Sequence, residues 1–519
     1  MSDLVKQILI VGGGTAGWLT AAKLAKELNS KSTDAVQVTL IESPDVPTIG
    51  VGEGTWPTMR ATLQKLGIDE AEFMRYCNAS FKQGSKFINW RKTPSNDQSN
   101  FYYNHFTSLQ NPEQFNLAPY WSLGYAGDIS YADAVSFQGS VCEKGLAPKK
   151  ITTAQYEGIQ SYAYHLDAAR FADFLKTHCT EKLGVKHLFG HIRQVNQDQD
   201  GYITSIDTEE HGVIAAEFFV DCSGFSALII GKTLDVPFKS ISDKLFVDHA
   251  IAIQVPYQDE HNDPVATQTL STAQNYGWIW DIGLTNRRGT GYVYSSHYTD
   301  HESAEQTLRR YLGPQADHLA SRRIKMNIGW RERFWKKNCV AIGMSAAFIE
   351  PLEASAIFLI EAAGNMLADQ FPRTRHEMQS VAKKFNRSFL YRWDKSVEFI
   401  KMHYFLSRRD DTQFWIDNRN PETVPTALMD RLEHWKSHPP SRYDFDNVYE
   451  PFPLESYQYI LYGLDFQMDI NHKKSAYQMV DYAQKQFSRV KELAEIAAKE
   501  LPTHRDLLNK IRTYNFQSI

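Results

Sequence analysis

Residues 7–17 read QILIVGGGTAG, an apolar run that leads directly into closely spaced glycines. Gln7 to Val11 is typical of a buried strand, Gly12 to Gly17 of a tight turn, and Trp18 to Leu28 of a helix with its apolar residues inward. A second alternating strand follows and ends at Glu42. The stretch therefore predicts a strand, helix and strand in the dinucleotide-binding arrangement.

The glycine turn has the chemistry of a pyrophosphate site. Glycines allow the tight turn and the close approach of backbone to phosphate, and the helix N-terminus contributes amides and partial positive charge. An acidic residue at the end of the second strand stands where a ribose hydroxyl needs an acceptor, although a solvated strand end is the alternative interpretation. The predicted contacts are Gly12, Gly14, Thr15, Ala16, Gly17 and Glu42.

Two further segments favour FAD over NAD. Residues 49–55 read IGVGEGT, and a glycine-dense strand allows backbone to run against a flat ring. Residues 218–224 read FFVDCSG, a strand that ends in small residues beneath the pyrophosphate, and another strand ends at Gly343. Glycine-containing turns are the alternative. The predicted flavin contacts here are Gly50, Val51, Gly52, Glu53, Gly224 and Gly343.

Composition limits the classes of partner and compartment. The 519 residues are 42% hydrophobic and 23% charged with a net charge of -5, so we expect no nucleic acid and no membrane partner. Five cysteines without a Cys-x-x-Cys pair predict a reducing, cytoplasmic location. We expect no signal peptide, because the N-terminus runs quickly into a strand. We also expect no metal, since His187 and His191 lack further ligands.

Lys82 lies in FKQGSKF, residues 81–87. Alone it would be interpreted as a solvated surface lysine. Residues 276–283 read YGWIWDIG, in which Trp278 and Trp280 project from one face of a strand and form an aromatic wall, unless they are simply core. Lys82 and the aromatic wall of Trp278 and Trp280 are together an unusual combination in a flavin protein.

The segment FIEPLEASA, residues 348–356, predicts an anion site. An apolar helix is expected to begin after Pro351, which places Glu353 and the amides of Ser355 and Ala356 in its first turn. Such amides can hold an anion. The alternative for the glutamate is a favourable charge on the helix dipole.

The C-terminal pattern is helical from about residue 375, and Tyr477 opens a long amphipathic helix that runs until Pro502. We expect residues 1–375 to form the FAD-binding module, interleaved with sheet segments at about 85–220 and 240–335. Residues 376–519 are expected to be a helical region that completes the substrate pocket.

On these motifs together the chain resembles the flavin-dependent tryptophan halogenases, from the N-terminus to about residue 465. The lysine combined with the Trp-x-Trp strand is specific, because aromatic hydroxylases with the same FAD module have neither. The resemblance implies an α/β fold with a glutathione-reductase-type, Rossmann-like FAD module. The segments that carry it are Gly12 to Gly17, Gly50 to Glu53, Phe81 to Phe87, Trp278 to Ile282, Gly291 to Ser296, Asn338 to Gly343, Pro351 to Glu353 and Tyr457 to Leu464.

The family's chemistry implies roles for these residues. Reduced FAD (FADH2), oxygen and chloride or bromide give hypohalous acid, which the amine of Lys82 meets either as a haloamine or through a hydrogen bond. Glu353 would polarise the electrophile or deprotonate the ring intermediate. Ser355 and Ala356 would hold the halide, although Ala354-Ser355-Ala356 departs from the family's usual Ser-Thr-Gly.

The resemblance also implies partners. We expect a small electron-rich aromatic substrate of the indole or tryptophan type, a separate flavin reductase, since the chain has no second GxGxxG, and a possible homodimer. Two alternatives stay open, an FAD-dependent aromatic monooxygenase that hydroxylates and a non-catalytic FAD-binding protein. The expected tunnel and substrate residues are Trp278, Trp280, His105, Phe106, Phe452 and Tyr457, with Asn104 beside them.

Overall fold

The structure is a computed structural model that describes residues 4–28, 35–46, 52–95, 99–445 and 448–516. The predictions for Gly50 and Val51 lie outside these ranges. Strands and helices alternate through the first two thirds of the chain and helices dominate the rest, which confirms the predicted α/β class with a helical C-terminal region.

A largely parallel sheet forms the floor of the molecule. Gln7–Val11 lies at its centre, with Ile8 in register with Val38 on one side and Phe218 on the other. This arrangement confirms the predicted strand–helix–strand unit. The strands follow the order Trp335–Lys336, Cys339–Ala341, Phe218–Asp221, Gln7–Val11, Gln37–Glu42 and Lys186–Phe189, with the first of these antiparallel to its neighbour.

The first helix begins earlier than the sequence predicts. It spans Thr15–Leu28 rather than starting at Trp18, so the tight turn is confined to the glycines before it. Gly17 explains the difference, because a Cβ at this position would lie 1.9 Å from the carbonyl oxygen of Gly12. Only a glycine lets the first helical turn pack so closely on the preceding strand.

A large mixed sheet stands beside the parallel sheet, and a small sheet connects the two. In the small sheet, Ala163–Asp167 lies between Gly52–Gly54 and Ser80–Lys82. The mixed sheet follows the order Ser321–Lys325, His249–Pro256, Arg287–Tyr294, Gly277–Gly283, Thr269–Gln274, Gly84–Ile88 and Phe101–His105. Lys82 therefore ends a strand of the small sheet, and Gly84, two residues later, begins the strand Gly84–Ile88 of the mixed sheet.

Short strands and helices complete the structure. The remaining strands are Ile192–Gln197, Ile203–Thr208, Gly212–Ala215, Phe238–Ser240, Gly329–Arg331 and Ala347–Phe348. The helices before residue 378 are Thr15–Leu28, Thr58–Leu66, Glu70–Tyr76, Ala118–Ser122, Tyr131–Val135, Gln138–Glu143, Ala168–Lys182, His301–Leu312 and Ser355–Asp369. The later helices are Met378–Leu406, Gln413–Asn418, Thr426–Trp435, Leu454–Gly463, Val480–Glu500 and His504–Tyr514.

The C-terminal helices pack on the rest of the chain in more than one place, and Val480–Glu500 contributes to a small apolar cluster with Phe137 and Val141. Val480–Glu500 confirms the long amphipathic helix before Pro502, although Tyr477 precedes it and belongs to a short turn. The longest helix, Met378–Leu406, carries a run of buried residues toward the mixed sheet. Within the described ranges, every helix is too short or too polar to cross a lipid bilayer.

Candidate active site

A cavity of about 550 Å³ opens at the carboxyl ends of the parallel strands. This edge of an open parallel sheet is where dinucleotides bind. Of the residues predicted to contact FAD, those that line the cavity are Gly12, Gly14, Thr15, Ala16, Glu42, Glu53, Gly224 and Gly343.

The shape of the cavity depends on glycines, which carry no side chain. A Cβ at Gly13 would lie 1.7 Å from Oε2 of Glu42, and a Cβ at Gly343 would lie 2.7 Å from the Cβ of Ala16. A Cβ at Gly14 would have no atom within 4 Å, so this position faces open space. The glycines thus form a cradle whose size and backbone lining suit a dinucleotide.

Two predicted flavin contacts lie elsewhere. Gly17 packs on Gly12 beneath the turn, and Gly52 is covered by Ile282, whose Cδ1 would lie 2.8 Å from a Cβ there. Both glycines therefore serve the packing of backbone against neighbouring elements. Within the described residues, neither belongs to the lining of the cavity.

Glu42 and Glu53 supply the acidic groups of the cavity. Oε1 of Glu42 is 2.7 Å from Nε2 of His187, a contact that orients the carboxylate at the end of its strand. Burial raises the pKa of Glu53 to about 7. Glu42 lies at the strand end, where a ribose hydroxyl would need an acceptor.

Lys82 is fixed by strand pairing. It ends the strand Ser80–Lys82, lies opposite Ala163, and is 1% exposed. Its Nζ is 5.4 Å from the ring centroid of Phe106, and a Cβ on Gly54 would come within 3.1 Å of it. Burial lowers the pKa of the Lys82 amine, and the nearby charge of Glu353 opposes that shift. The amine is therefore inside the protein, and its neutral form is easier to reach than that of an exposed lysine.

Glu353 lies before the helix and not within its first turn, so that prediction was wrong. The helix begins at Ser355, while Glu353 and Ala354 both adopt left-handed backbone conformations, with φ of 66° and 54°. Such conformations cost non-glycine residues about 1–3 kcal/mol each and persist only where surrounding contacts hold them. Here they turn the Glu353 side chain away from the helix axis and into the protein.

The carboxylate of Glu353 contacts Asn104, which the sequence placed beside the pocket candidates, and also Ser85 and His403, which it did not single out. Asn104 Nδ2 donates a 2.9 Å hydrogen bond to Oε1, Ser85 Oγ lies 3.5 Å from Oε2, and Nε2 of His403 lies 3.5 Å from Oε1. Among the described residues, no ion pair of 4.0 Å or less joins the carboxylate to Lys82. Burial raises the pKa of Glu353, and Asn104 and Lys82 counteract it.

His403 contributes to this cluster from a buried position on the longest helix. It is fully buried on the helix Met378–Leu406, its Nδ1 shares a 2.8 Å hydrogen bond with Tyr102, and burial lowers its pKa to about 3. The ring is therefore neutral. When Tyr102 donates to Nδ1, the proton of His403 is on Nε2 and faces Glu353. No local pattern marks a histidine in the middle of a long helix as part of a site.

The loop between the strand and the helix carries a second buried glutamate, Glu350. Its Oε2 accepts 2.7 Å hydrogen bonds from Nε1 of Trp278 and from the hydroxyl of Tyr404. Burial raises the pKa of Glu350 to about 7. Trp278 and Trp280 lie opposite Val293 and Gly291 and thus share a face of their strand. Trp278 is thereby anchored to the loop that bears Glu353.

The remaining predicted pocket residues fall into three environments. His105 is buried against Tyr103, and both its ring nitrogens lack a partner within the described residues. Phe452 stacks on Phe399 at 3.8 Å. Tyr457 is fully buried and donates to Glu450, so it belongs to the packing behind Phe452. Phe106, whose ring centroid lies 5.4 Å from Nζ of Lys82, is thus the member of this group nearest the amine.

Ser355 and Ala356 occupy the first turn of the helix Ser355–Asp369, as predicted from the sequence. Ala356 also lines the large cavity, whereas Lys82 and Glu353 lie outside the described lining. The helix start consequently adjoins the cavity on one side and the Glu353 loop on the other. This is the place where an anion could contact both.

His191 engages both of its ring nitrogens, at 2.7 Å to Glu210 and 2.8 Å to Asp45. With Glu209 it forms a partly exposed group whose ligand atoms lie within 4.8 Å of one another. Both contacts have the geometry of ion pairs between a histidine and a carboxylate.

A sequence profile described as tryptophan halogenase matches residues 7–479. The chain belongs to the tryptophan halogenase family. It is therefore an enzyme of the flavin-dependent halogenase type.

Relatives of this halogenase match over nearly the whole chain. The tryptophan 6-halogenase SttH of Streptomyces toxytricini is 35% identical over 520 residues, covering 96% of each protein. The crystal structure of a tryptophan halogenase from Shewanella frigidimarina is 44% identical with a TM-score of 0.95 and covers 99% of both chains. Tar14, a tryptophan C-6 flavin-dependent halogenase from taromycin biosynthesis, is 35% identical with a TM-score of 0.90, covering 98% of this chain and all of its own.

Proposed function

We propose that this halogenase uses reduced FAD, oxygen and chloride or bromide to form hypohalous acid, and transfers the halogen to an electron-rich aromatic substrate of the indole or tryptophan type. The observation that carries the proposal is the buried Lys82 beside the buried Glu353, placed outside the glycine-lined cavity. A hydroxylase acting at the flavin itself has no use for an amine in this position.

The cavity residues fit FAD. The glycine turn and the first turn of Thr15–Leu28 would hold the pyrophosphate, and Glu42 would accept from a ribose hydroxyl. Bound in its reduced form, FAD supplies the two electrons with which oxygen becomes able to oxidise the halide. The amides at Ser355 and Ala356 would hold that halide at the boundary between the cavity and the Glu353 loop.

Lys82 directs the oxidant. Its lowered pKa makes the neutral amine accessible near neutral pH, while the protonated form can donate a hydrogen bond to hypohalous acid. Either form retains the oxidant at one point of the pocket. Regiochemistry then follows from which carbon of the bound arene lies beside Nζ.

Glu353 interacts with the positive charge that halogenation creates on the arene. An arene that accepts halogen becomes cationic and loses a proton, and a carboxylate stabilises the cation and accepts the proton. Asn104 keeps the carboxylate in place at 2.9 Å, and its hydrogen bond favours the ionised form. The raised pKa of Glu353 brings proton acceptance close to neutral pH, where a general base works best.

The tryptophan strand keeps the two compartments apart. Trp278 is 1% exposed and is bound to Glu350, so its indole cannot swing aside without leaving a buried carboxylate with one donor fewer. A rigid wall prevents substrate from reaching the flavin and limits water between the compartments. A separate flavin reductase would supply FADH2, since the sequence has no second GxGxxG.

The test is a product assay. The enzyme, a flavin reductase, FAD, NADH and bromide are incubated with a panel of indoles, tryptophan and phenols, and products are analysed by mass spectrometry. The proposal predicts brominated arene with the paired isotope signature of bromine. Hydroxylated product without bromine across the panel would overturn it in favour of a monooxygenase.

A further inference from the structure

Trp56 brings an indole of the protein itself to the reactive loop. Its Nε1 donates a 2.8 Å hydrogen bond to the main-chain oxygen of Glu353. The ring stacks on Phe358 with centroids 4.2 Å apart and lies 5.0 Å from the ring of Phe452. The indole is thus held between aromatic rings and tied to Glu353 through its N–H.

The chain that carries Trp56 also borders the amine. Gly54 lies two residues earlier, and a Cβ there would be 3.1 Å from Nζ of Lys82 and 3.3 Å from the Cβ of Ala354. Residues 54–56 therefore line one side of the Lys82 and Glu353 cluster. Because Nε1 faces Glu353, the ring carbons that flank this nitrogen are on the edge turned toward the loop.

Trp56 differs from the two fully buried tryptophans beside the site. Trp278 and Trp90 are 1% and 0% exposed, with their N–H groups bound to Glu350 and Ser271. Trp56 and Trp280 are each half-buried, but the ring of Trp280 lies against Gly291, whereas Trp56 is hydrogen-bonded to the main chain of Glu353. Indole is the most electron-rich aromatic side chain in proteins, so Trp56 is a reactive target for an electrophilic halogen released beside Lys82 and Glu353.

We propose that Trp56 is a halogenation site of the enzyme itself during turnover without substrate, an inference that rests on the proposed function. The step is balanced by hypohalous acid alone. An electron pair of the ring forms the carbon–halogen bond and the halogen–oxygen bond breaks. The departing hydroxide takes the displaced ring proton and becomes water. No further oxidant is consumed.

The experiment uses the intact enzyme with flavin reductase, FAD, NADH and bromide, and no arene. After turnover the protein is digested with trypsin. The peptide of residues 32–60 holds Trp56 and contains no other tryptophan, no tyrosine and no histidine. Its mass spectrum is expected to show the paired isotopes of one bromine, located at Trp56 by fragmentation. The Trp56→Phe variant is expected to leave this peptide unlabelled.

Two exposed tyrosines distinguish halogenation directed at Trp56 from halogenation by hypobromous acid that has escaped from the pocket. Tyr443 and Tyr514 are 79% and 65% exposed, so hypobromous acid that escapes the pocket would label them. A matched sample treated with hypobromous acid from outside supplies that leakage pattern. The proposal predicts label at Trp56 in excess of both tyrosines during turnover, and suppression of that label by added indole.

The outcomes distinguish this inference from the proposed function. Bromination of added indole with an unlabelled 32–60 peptide overturns the inference and leaves the proposed function standing. Label spread over Tyr443 and Tyr514 as in the externally treated sample also overturns it. Absence of bromine from both indole and protein, with flavin bound and NADH consumed, overturns the two together.

Discussion

Asn104 donates a 2.9 Å hydrogen bond to the carboxylate of Glu353, and this bond, rather than an ion pair with Lys82, fixes the carboxylate. The two charged partners can therefore act on a molecule between them. An ion pair would instead neutralise both groups before substrate arrives.

Asn104→Ala is expected to lower kcat by about tenfold, the equivalent of ~1.4 kcal/mol. The hydrogen bond from Asn104 lowers the pKa of Glu353, so its loss raises that pKa. Because the base is active only when ionised, the acid limb of the kcat/KM profile is expected to move to higher pH. Halogenation rates measured across the neutral range check this shift.

Asn100→Ala is the matched control for that variant. Asn100 is also buried, but its side chain bonds the carbonyl oxygen of Lys92, away from the cluster. It is expected to change stability without moving the acid limb. An Asn104→Ala enzyme whose pH profile matches that of Asn100→Ala would contradict a role for Asn104 at Glu353.

Lys82→Met combined with Glu353→Gln is expected to stabilise the fold by about 1–4 kcal/mol while abolishing halogenation. Burial holds the pKa of Lys82 below, and that of Glu353 above, their unfolded values. Folding is therefore disfavoured by the charged lysine below its folded pKa and by the charged glutamate above its own. Urea unfolding at neutral pH measures the change, and a loss of stability would show that the pair contributes to folding.

Gly14→Ala is expected to weaken flavin binding without lowering Tm. Its new methyl group meets no protein atom within 4 Å and points into the cavity where pyrophosphate would lie. Gly17→Ala is the contrasting variant, because its Cβ would collide with the carbonyl of Gly12 at 1.9 Å and destabilise the fold. Flavin fluorescence titration and thermal melts separate the two effects. Unchanged flavin affinity in Gly14→Ala would contradict the assigned site.

The sequence predicts those parts of the molecule that depend on local backbone chemistry. The glycine turn, the strand end at Glu42 and the helix before Pro502 follow from steric freedom and periodicity over a few residues. The strand predicted to end at Gly343 instead spans Cys339–Ala341, and Gly343 begins a short 3-10 helix, so that prediction was wrong. The exact helix start at Thr15 was missed because it depends on the contact between Gly17 and Gly12. That contact follows from packing and not from propensity.

The contacts of Glu353 were beyond the reach of sequence. Asn104, Ser85 and His403 come from different strands and from a helix distant in the chain, so only the tertiary fold joins them. The left-handed backbone at Glu353 is held by such contacts as well. The sequence analysis made no prediction for Trp56, whose contacts with Phe358 and Glu353 join segments far apart in the chain.

The proposed role of Lys82 is to direct the halogen to the substrate. It is tested by the amount of brominated indole formed per NADH consumed by Lys82→Ala and by the wild type at equal flavin occupancy. We expect no brominated indole from Lys82→Ala, with flavin binding and NADH consumption retained. Brominated indole from Lys82→Ala within about tenfold of the wild-type yield, a barrier change below ~1.4 kcal/mol, would contradict it.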